Sequence, residues 1–229
     1  MRKIGSWYLP EGDTYGIPPN GDNTDTRVLH GLELTNRGFI KDVLNYTDGR
    51  RVFVDVGAGV GSISRPLASH FDEIHCFEIN PESREALIAN MSEHKNTYVY
   101  DFGLGPSTQE VKFGYHSTYR NVGSVIKENG EQYQKPRRDR YTPDVIDTLK
   151  IKALDDLNLK NVDAIKIDVE GYEFEVLKGM ANTIKNNSPA IFIEVFDDRH
   201  LQMLDYMNDL KYYNIDVNTK NDRIYKRYK

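Results

Sequence analysis

The chain has 229 residues, 38% hydrophobic and 28% charged, with a formal charge of −5 at pH 7. That length can bury one substantial core, so a single domain over 1–229 is expected, and the net acidity disfavours a nucleic-acid partner for the molecule as a whole. Cys76 is the only cysteine, which excludes an internal disulfide or a thiolate-rich metal site and fits a reducing compartment; with no secretory pattern and no run of about 18–20 apolar residues, the expected address is the cytoplasm, with no membrane partner.

Residues 1–30 are rich in Gly, Pro, Asp, Asn and Thr, with Trp7 and Tyr8 as candidate anchors. They read as an irregular segment. Residues 33–46 are expected to be helical, with Leu34, Phe39, Ile40, Val43 and Leu44 as the apolar stripe. Together, residues 1–48 form a candidate lid. RVFVDV (51–56) is a short apolar run typical of a strand buried on both faces. A glycine turn follows, then an expected helix over 62–70, where Pro66 fits only the first turn. EIHCFEI (73–79) is a second strand, and Asn80-Pro81 opens the next helix with a cap and a proline at the first position. NTYVYD (96–101) is a third strand.

Residues 107–147 interrupt this alternation. QEVKFGYH and NVGSVI are strand-like, and the polar stretch after them reads as a loop. VDAIKIDV (162–169) resumes as a fourth strand, with a helix over 171–185 carrying Val176, Leu177, Met180 and Ile184 on one face. PAIFIEVF (189–196) is a fifth strand. A helix over 199–210, with Leu201, Leu204, Met207 and Leu210 inward, precedes a terminal hairpin around TKND. The alternation predicts an α/β fold with a parallel sheet, helices on both faces and an antiparallel last strand. Ligands of such sheets bind at the carboxyl ends of the strands, at the switch point.

That rim carries the glycine turn. A dinucleotide fingerprint needs G-x-G-x-x-G, but Ser62 stands where the third glycine would be, and the observed spacing is Gly57, Gly59, Gly61 behind Asp55. Glu78, at the end of the second strand, is placed to accept hydrogen bonds from ribose hydroxyls. Glycines without pyrophosphate spacing beside a ribose carboxylate suit a nucleoside without phosphates, and S-adenosylmethionine is such a ligand. The expected cofactor contacts are Asp55, Gly57, Ala58, Gly59, Gly61 and Ser62 from the turn, then Glu78 and Ile79. Asp101 and Phe102, after the third strand, are assigned to adenine.

IKIDVEGYEFEVLKGM (165–180), VDVGAGVGS, CFEINP (76–81) and PAIFIEV (189–195) together resemble the FkbM-type methyltransferases in order and spacing, over roughly residues 50–196. The resemblance implies a class I methyltransferase fold: a Rossmann-like, mostly parallel seven-stranded sheet with an antiparallel C-terminal hairpin and an insertion after the third strand. It implies S-adenosylmethionine as donor and, usually, methylation of a hydroxyl oxygen on sugars, polyketides or other small metabolites. DFGLG (101–105) departs from the Asn and Ala-Leu pair more common there.

Asp168 and Glu170 are one residue apart, so on extended chain they share a side and both can face the cleft. Glu170 is the candidate proton acceptor or acceptor-orienting group; a cap on the following helix is the alternative. Asp168 is assigned to the cofactor's amino-acid end or the acceptor. Lys166 reads as strand-edge decoration or an ion-pair partner. Glu194 with Asp168 could hold a divalent cation, but a lone strand-end carboxylate is the simpler reading and no metal is assigned. His75 and His200 read as structural, and His30 as a candidate lid residue. KPRRDR (135–140), flanked by Tyr133 and Tyr141, reads as a solvated loop.

The leading expectation is therefore an O-methyltransferase acting on a small-molecule or glycan acceptor. The alternatives are a methyltransferase for nucleic acid or protein, using the basic loop, and a non-catalytic module that retains the adenosyl pocket. Oligomeric state is left open.

Overall fold

The computed structural model describes all residues except 14–23, 118–122, 134–142, 197–198, 216–221 and 229. The basic run at 135–140, Tyr141 and most of the TKND turn lie outside the described residues.

The chain begins with a hairpin of β1 (Arg2–Ile4) and β2 (Trp7–Leu9), followed by α1 (Thr24–His30), a π-helical turn over Gly31–Thr35 and α2 (Arg37–Tyr46). The hairpin is not random coil because Trp7 and Leu9 bury their side chains with Ile4, Val28 and Val60. Composition alone did not reveal it.

The main alternation runs β3 (Val52–Val56), α3 (Ser64–Leu67), β4 (Glu73–Phe77), α4 (Pro81–Met91) and β5 (Thr97–Tyr100). Only four residues of the expected 62–70 helix form α3, and Pro66 sits within its first turn. Next come β6 (Gly103–Leu104), β7 (Gln109–Tyr115), β8 (Gly123–Val125) and β9 (Val145–Lys152). The chain then forms β10 (Val162–Ile167), α5 (Glu173–Lys178), α6 (Ala181–Asn187), β11 (Ala190–Glu194), α7 (His200–Asp209), β12 (Tyr212–Ile215) and β13 (Asp222–Arg227). The helix expected over 171–185 is two helices, α5 and α6. The break falls at Gly179, where a β-carbon would stand 1.9 Å from the Gly105 carbonyl oxygen.

Seven strands form one sheet in the order β12-β13-β11-β10-β3-β4-β5. From β11 to β5 all neighbours are parallel, while β13 is antiparallel to both β11 and β12. The last strand thus inserts beside β11 instead of forming the sheet edge. Helices α5, α6 and α7 supply Val176, Met180, Ile184 and Met203 to one apolar layer. Helices α2, α3 and α4 supply Val43, Leu67 and Leu87 to the other. This is the class I methyltransferase architecture.

The insertion is a second sheet, ordered β6-β9-β7-β8. Phe113, Tyr115, Val125 and Ile151 from it complete the first apolar layer. Leu201 is 75% exposed, whereas Met203 and Met207 are the buried residues of α7. Among the described residues no helix is long and apolar enough to cross a membrane.

Candidate active site

The chain leaves β3 for β4 on one side and places β10 on the other, so the switch point falls between β3 and β10. A cavity of about 450 Å³ opens there, lined by the glycine turn, the β4 end and the carboxyl ends of β10 and β11. That volume lies within the range of small-molecule sites.

The turn is shaped by close approach. Gly57 has φ +77, and a β-carbon on it would stand 1.8 Å from the Asp168 carbonyl oxygen. The Asp168 N–H in turn donates to the Val56 carbonyl at 3.0 Å. Gly59 has φ +56 and open space where a β-carbon would point. The N–H groups of Gly57 and Ala58 both donate to the Phe77 carbonyl, and that of Gly61 to Ala58. The Gly59 N–H donates to Glu78 Oε2 at 2.7 Å. These amides are engaged within the protein, so the turn is not an anion cradle of spare N–H groups. It suits a ligand without phosphates.

Glu78 is 7% exposed and lines the cavity. Its second oxygen accepts from the Asn80 N–H at 2.8 Å, while the Asn80 side chain caps α4 through the Glu82 N–H. A carboxylate has about four lone-pair sites, so two backbone bonds fix its orientation and leave acceptor capacity for ribose hydroxyls. Burial raises its pKa against the opposing pull of those amides and of Lys166.

Beneath the turn, Lys166 is 6% exposed. Its Nζ donates to the Gly57 carbonyl at 2.6 Å and lies 3.2 Å from Asp55 and 3.6 Å from Asp168. Burial opposes its charge, but Asp55 and Asp168 outweigh that and raise its pKa. The sequence reading of Lys166 as edge decoration is thus corrected: β10 lies inside the sheet. Its spacing of two from Asp168 was the available signal.

Of the expected cofactor residues, Gly57, Ala58, Gly59, Ser62, Glu78, Ile79 and Asp168 line the cavity. Asp55 does not. It is fully buried below the turn, accepting from Ser64 Oγ at 2.6 Å. Gly61 faces Leu87 of α4. Asp101 is exposed. Phe102 turns into the core against Phe77 and Tyr100, with ring centroids 5.8 and 5.4 Å away. Neither lines the cavity; Gly103 and Leu104 occupy that rim. The Phe102 ring is held by its packing in the aromatic cluster with Phe77 and Tyr100.

Glu170 also lines the cavity, in the left-handed region at φ +51. The N-cap position of α5 is Tyr172, and the nearby Gly171 N–H donates to Glu173. Asp168, Glu170 and Glu194 each bring an oxygen within 4.8 Å of the other two. Burial pushes the Glu194 carboxyl up to about 9, helped by Asp168 and Glu170. The Lys166 ammonium lies 3.6 Å from Asp168 on one side of this trio, and the three oxygens have the chemistry to ligate a divalent cation.

The sequence reading placed a candidate lid over residues 1–48 but singled out neither its cavity-lining polar residues nor Asp222. Asn36, Phe39 and Asp42 reach the cavity from α2 and its approach, and Asp222 reaches it from β13. Phe39 is held there edge-on to Phe192, with centroids 5.8 Å apart. His75 is buried against Tyr98 and Tyr100, and burial lowers its pKa. His200 Nδ1 accepts from Arg223 at 3.0 Å, and His30 is exposed. None of these histidines lines the cavity.

The family profile described as Methyltransferase FkbM domain matches residues 55–213. Hexuronic acid methyltransferase AglP of Haloferax volcanii is 25% identical over 152 residues, covering 64% of this chain and 57% of that protein. Among solved structures, methyltransferase FkbM from Methylobacillus flagellatus KT superposes with a TM-score of 0.58 at 17% identity, over 89% of this chain and 52% of the other. Magnesium protoporphyrin IX methyltransferase (ChlM) from Synechocystis PCC 6803, with bound SAM, gives 0.52 at 12% identity, over 94% and 88%. The chain therefore spans little more than half the length of AglP and of the Methylobacillus protein. S-adenosylmethionine is the cofactor that fits both the family and a turn whose Gly57, Ala58, Gly59 and Gly61 amides bond within the protein. The chain belongs to the FkbM methyltransferase domain family.

Proposed function

We propose that the protein methylates a hydroxyl oxygen of a sugar or another small molecule. The observation that carries this is one cavity joining Gly57, Gly59 and Glu78 to Asp168, Glu170 and Glu194. Glu78 would hold the ribose, and the turn would receive the amino-acid end beside Asp168. S-adenosylmethionine, when bound, supplies an electrophilic methyl group. The protein's own part is to orient an acceptor hydroxyl and take its proton. Glu170 is the proton acceptor in this reading, and general-base help of this kind is worth about 10²–10⁴-fold. Glu194, whose carboxyl is pushed up to about 9 first by burial and then by Asp168 and Glu170, would donate a hydrogen bond to the acceptor or to Asp168.

The N-terminal segment forms the acceptor-side wall in this reading, because Asn36, Phe39 and Asp42 line the same cavity as Asp168, Glu170 and Glu194. The similarity to a hexuronic acid methyltransferase supports a sugar acceptor. The test is incubation with methyl-labelled S-adenosylmethionine and a panel of monosaccharides, hexuronates, polyketide-like phenols, RNA and protein. Label on a hydroxyl of a sugar or small metabolite is expected. Label only on RNA or protein, or donor binding with no transfer to any acceptor, would overturn it.

A further inference from the structure

We propose that Ser124, Glu173 and Arg199 are positioning residues: a three-point clamp on the Glu170–Gly171 backbone that aims the Glu170 carboxylate into the cavity. This rests on the reading of Glu170 as proton acceptor. Glu170 and Gly171 have φ +51 and +102. Two successive left-handed residues, one of them not glycine, persist only where surroundings over-determine them.

The surroundings here do so group by group. The Glu170 carbonyl accepts from Ser124 Oγ at 2.8 Å. The Gly171 N–H donates to Glu173 Oε1 at 2.7 Å. The Gly171 carbonyl accepts from Arg199 Nη1 at 2.6 Å. The three side chains come from β8 of the insertion, the first position of α5 and the residue before α7. Arg199 closes the clamp: its other nitrogen donates to the Tyr133 carbonyl at 3.1 Å, and Nη1 lies 3.7 Å from the second Glu173 oxygen. Glu173 is 3% exposed, so its bond to Gly171 is shielded from water. The insertion thereby acts on the chemistry, through Ser124 and Tyr133, as well as lining the cavity with Phe113, Gly123 and Val125.

Two measurements test this. The first is amide hydrogen exchange over 168–173 with S-adenosylhomocysteine bound, in Ser124→Ala and Arg199→Lys. Exchange there should rise by at least about tenfold, with the central strands unchanged. This readout needs no acceptor, so it remains decisive if the acceptor assignment fails; unchanged exchange in both variants overturns the clamp. The second is methyl transfer to the acceptor that the labelling panel identifies. Ser124→Ala should lower kcat by on the order of 10²-fold while cofactor affinity holds, as misplacement of a reacting group by about 1 Å does. In a Glu170→Gln background the same substitution should cost less than about twofold, because the group being aimed is gone. A loss of equal size in both backgrounds would mean a merely structural role and overturn the proposal. A silent Glu170→Gln single variant would instead sink the proton-acceptor reading, which separates the two failures.

Discussion

Lys166 Nζ donates a 2.6 Å hydrogen bond to the carbonyl of Gly57, across 109 residues of sequence. One buried cation thus braces the glycine turn of β3 from the neighbouring strand, and the same ammonium neutralises Asp55 beneath it. Lys166→Met keeps the length of the side chain and removes the charge. It leaves Asp55 buried without its cation, so a loss of about 3–5 kcal/mol in urea denaturation is expected. A loss below about 1 kcal/mol would show that Asp55 is compensated elsewhere.

Gly57 and Gly59 are predicted to fail differently. Alanine at Gly57 collides with backbone at 1.8 Å, so the Gly57→Ala protein should be markedly destabilised or unfolded. Gly59→Ala meets no neighbouring atom and carries only the left-handed strain of about 1–2 kcal/mol. Its melting temperature should fall by a few degrees, while, on the proposed role of the turn, cofactor affinity drops sharply because the methyl group projects from a cavity-lining residue into open space. Calorimetric melting and isothermal titration on both variants separate the two effects.

Glu78→Ala should weaken S-adenosylmethionine by about 10–100-fold, the range for lost hydrogen bonds to a charged group. Wild-type affinity measured by titration would remove Glu78 from the ribose.

Glu170→Gln should leave donor affinity within about twofold and reduce kcat by on the order of 10²-fold or more. Stopped labelling assays at saturating acceptor read this directly.

Glu194 makes stability depend on pH. Its carboxyl is pushed up to about 9 in the folded protein, against an ordinary 4.5. Between those values the folded state keeps a proton that the unfolded chain has lost, so stability falls as pH rises. Glu194→Gln abolishes this term. The variant should melt higher than wild type at pH 8, by about 2–4 °C for each kcal/mol recovered, and the gap should close toward pH 4.5. A gap that stays constant across pH would assign the effect to packing.

Sequence alone was enough for the elements whose pattern is local. RVFVDV, EIHCFEI and VDAIKIDV are short apolar runs between turn signals, and each is a strand of the central sheet. The glycine spacing and the carboxylates at 78, 168 and 170 mark the strand ends, and alternation alone puts strand ends at one rim. Gly57, Gly59, Glu78, Asp168 and Glu170 do meet around one cavity. Tertiary structure decided everything that depends on which strands become neighbours and which way a side chain turns. The β10–β3 pairing buries Lys166 under the turn. The β10–β11 pairing brings Glu194 to Asp168 and Glu170. Core packing holds Phe102 against Phe77, and long-range bonds from Ser124 and Arg199 hold the Glu170 and Gly171 carbonyls. Such contacts join residues tens to over a hundred positions apart, and a single sequence fixes periodicity along the chain, not register across it.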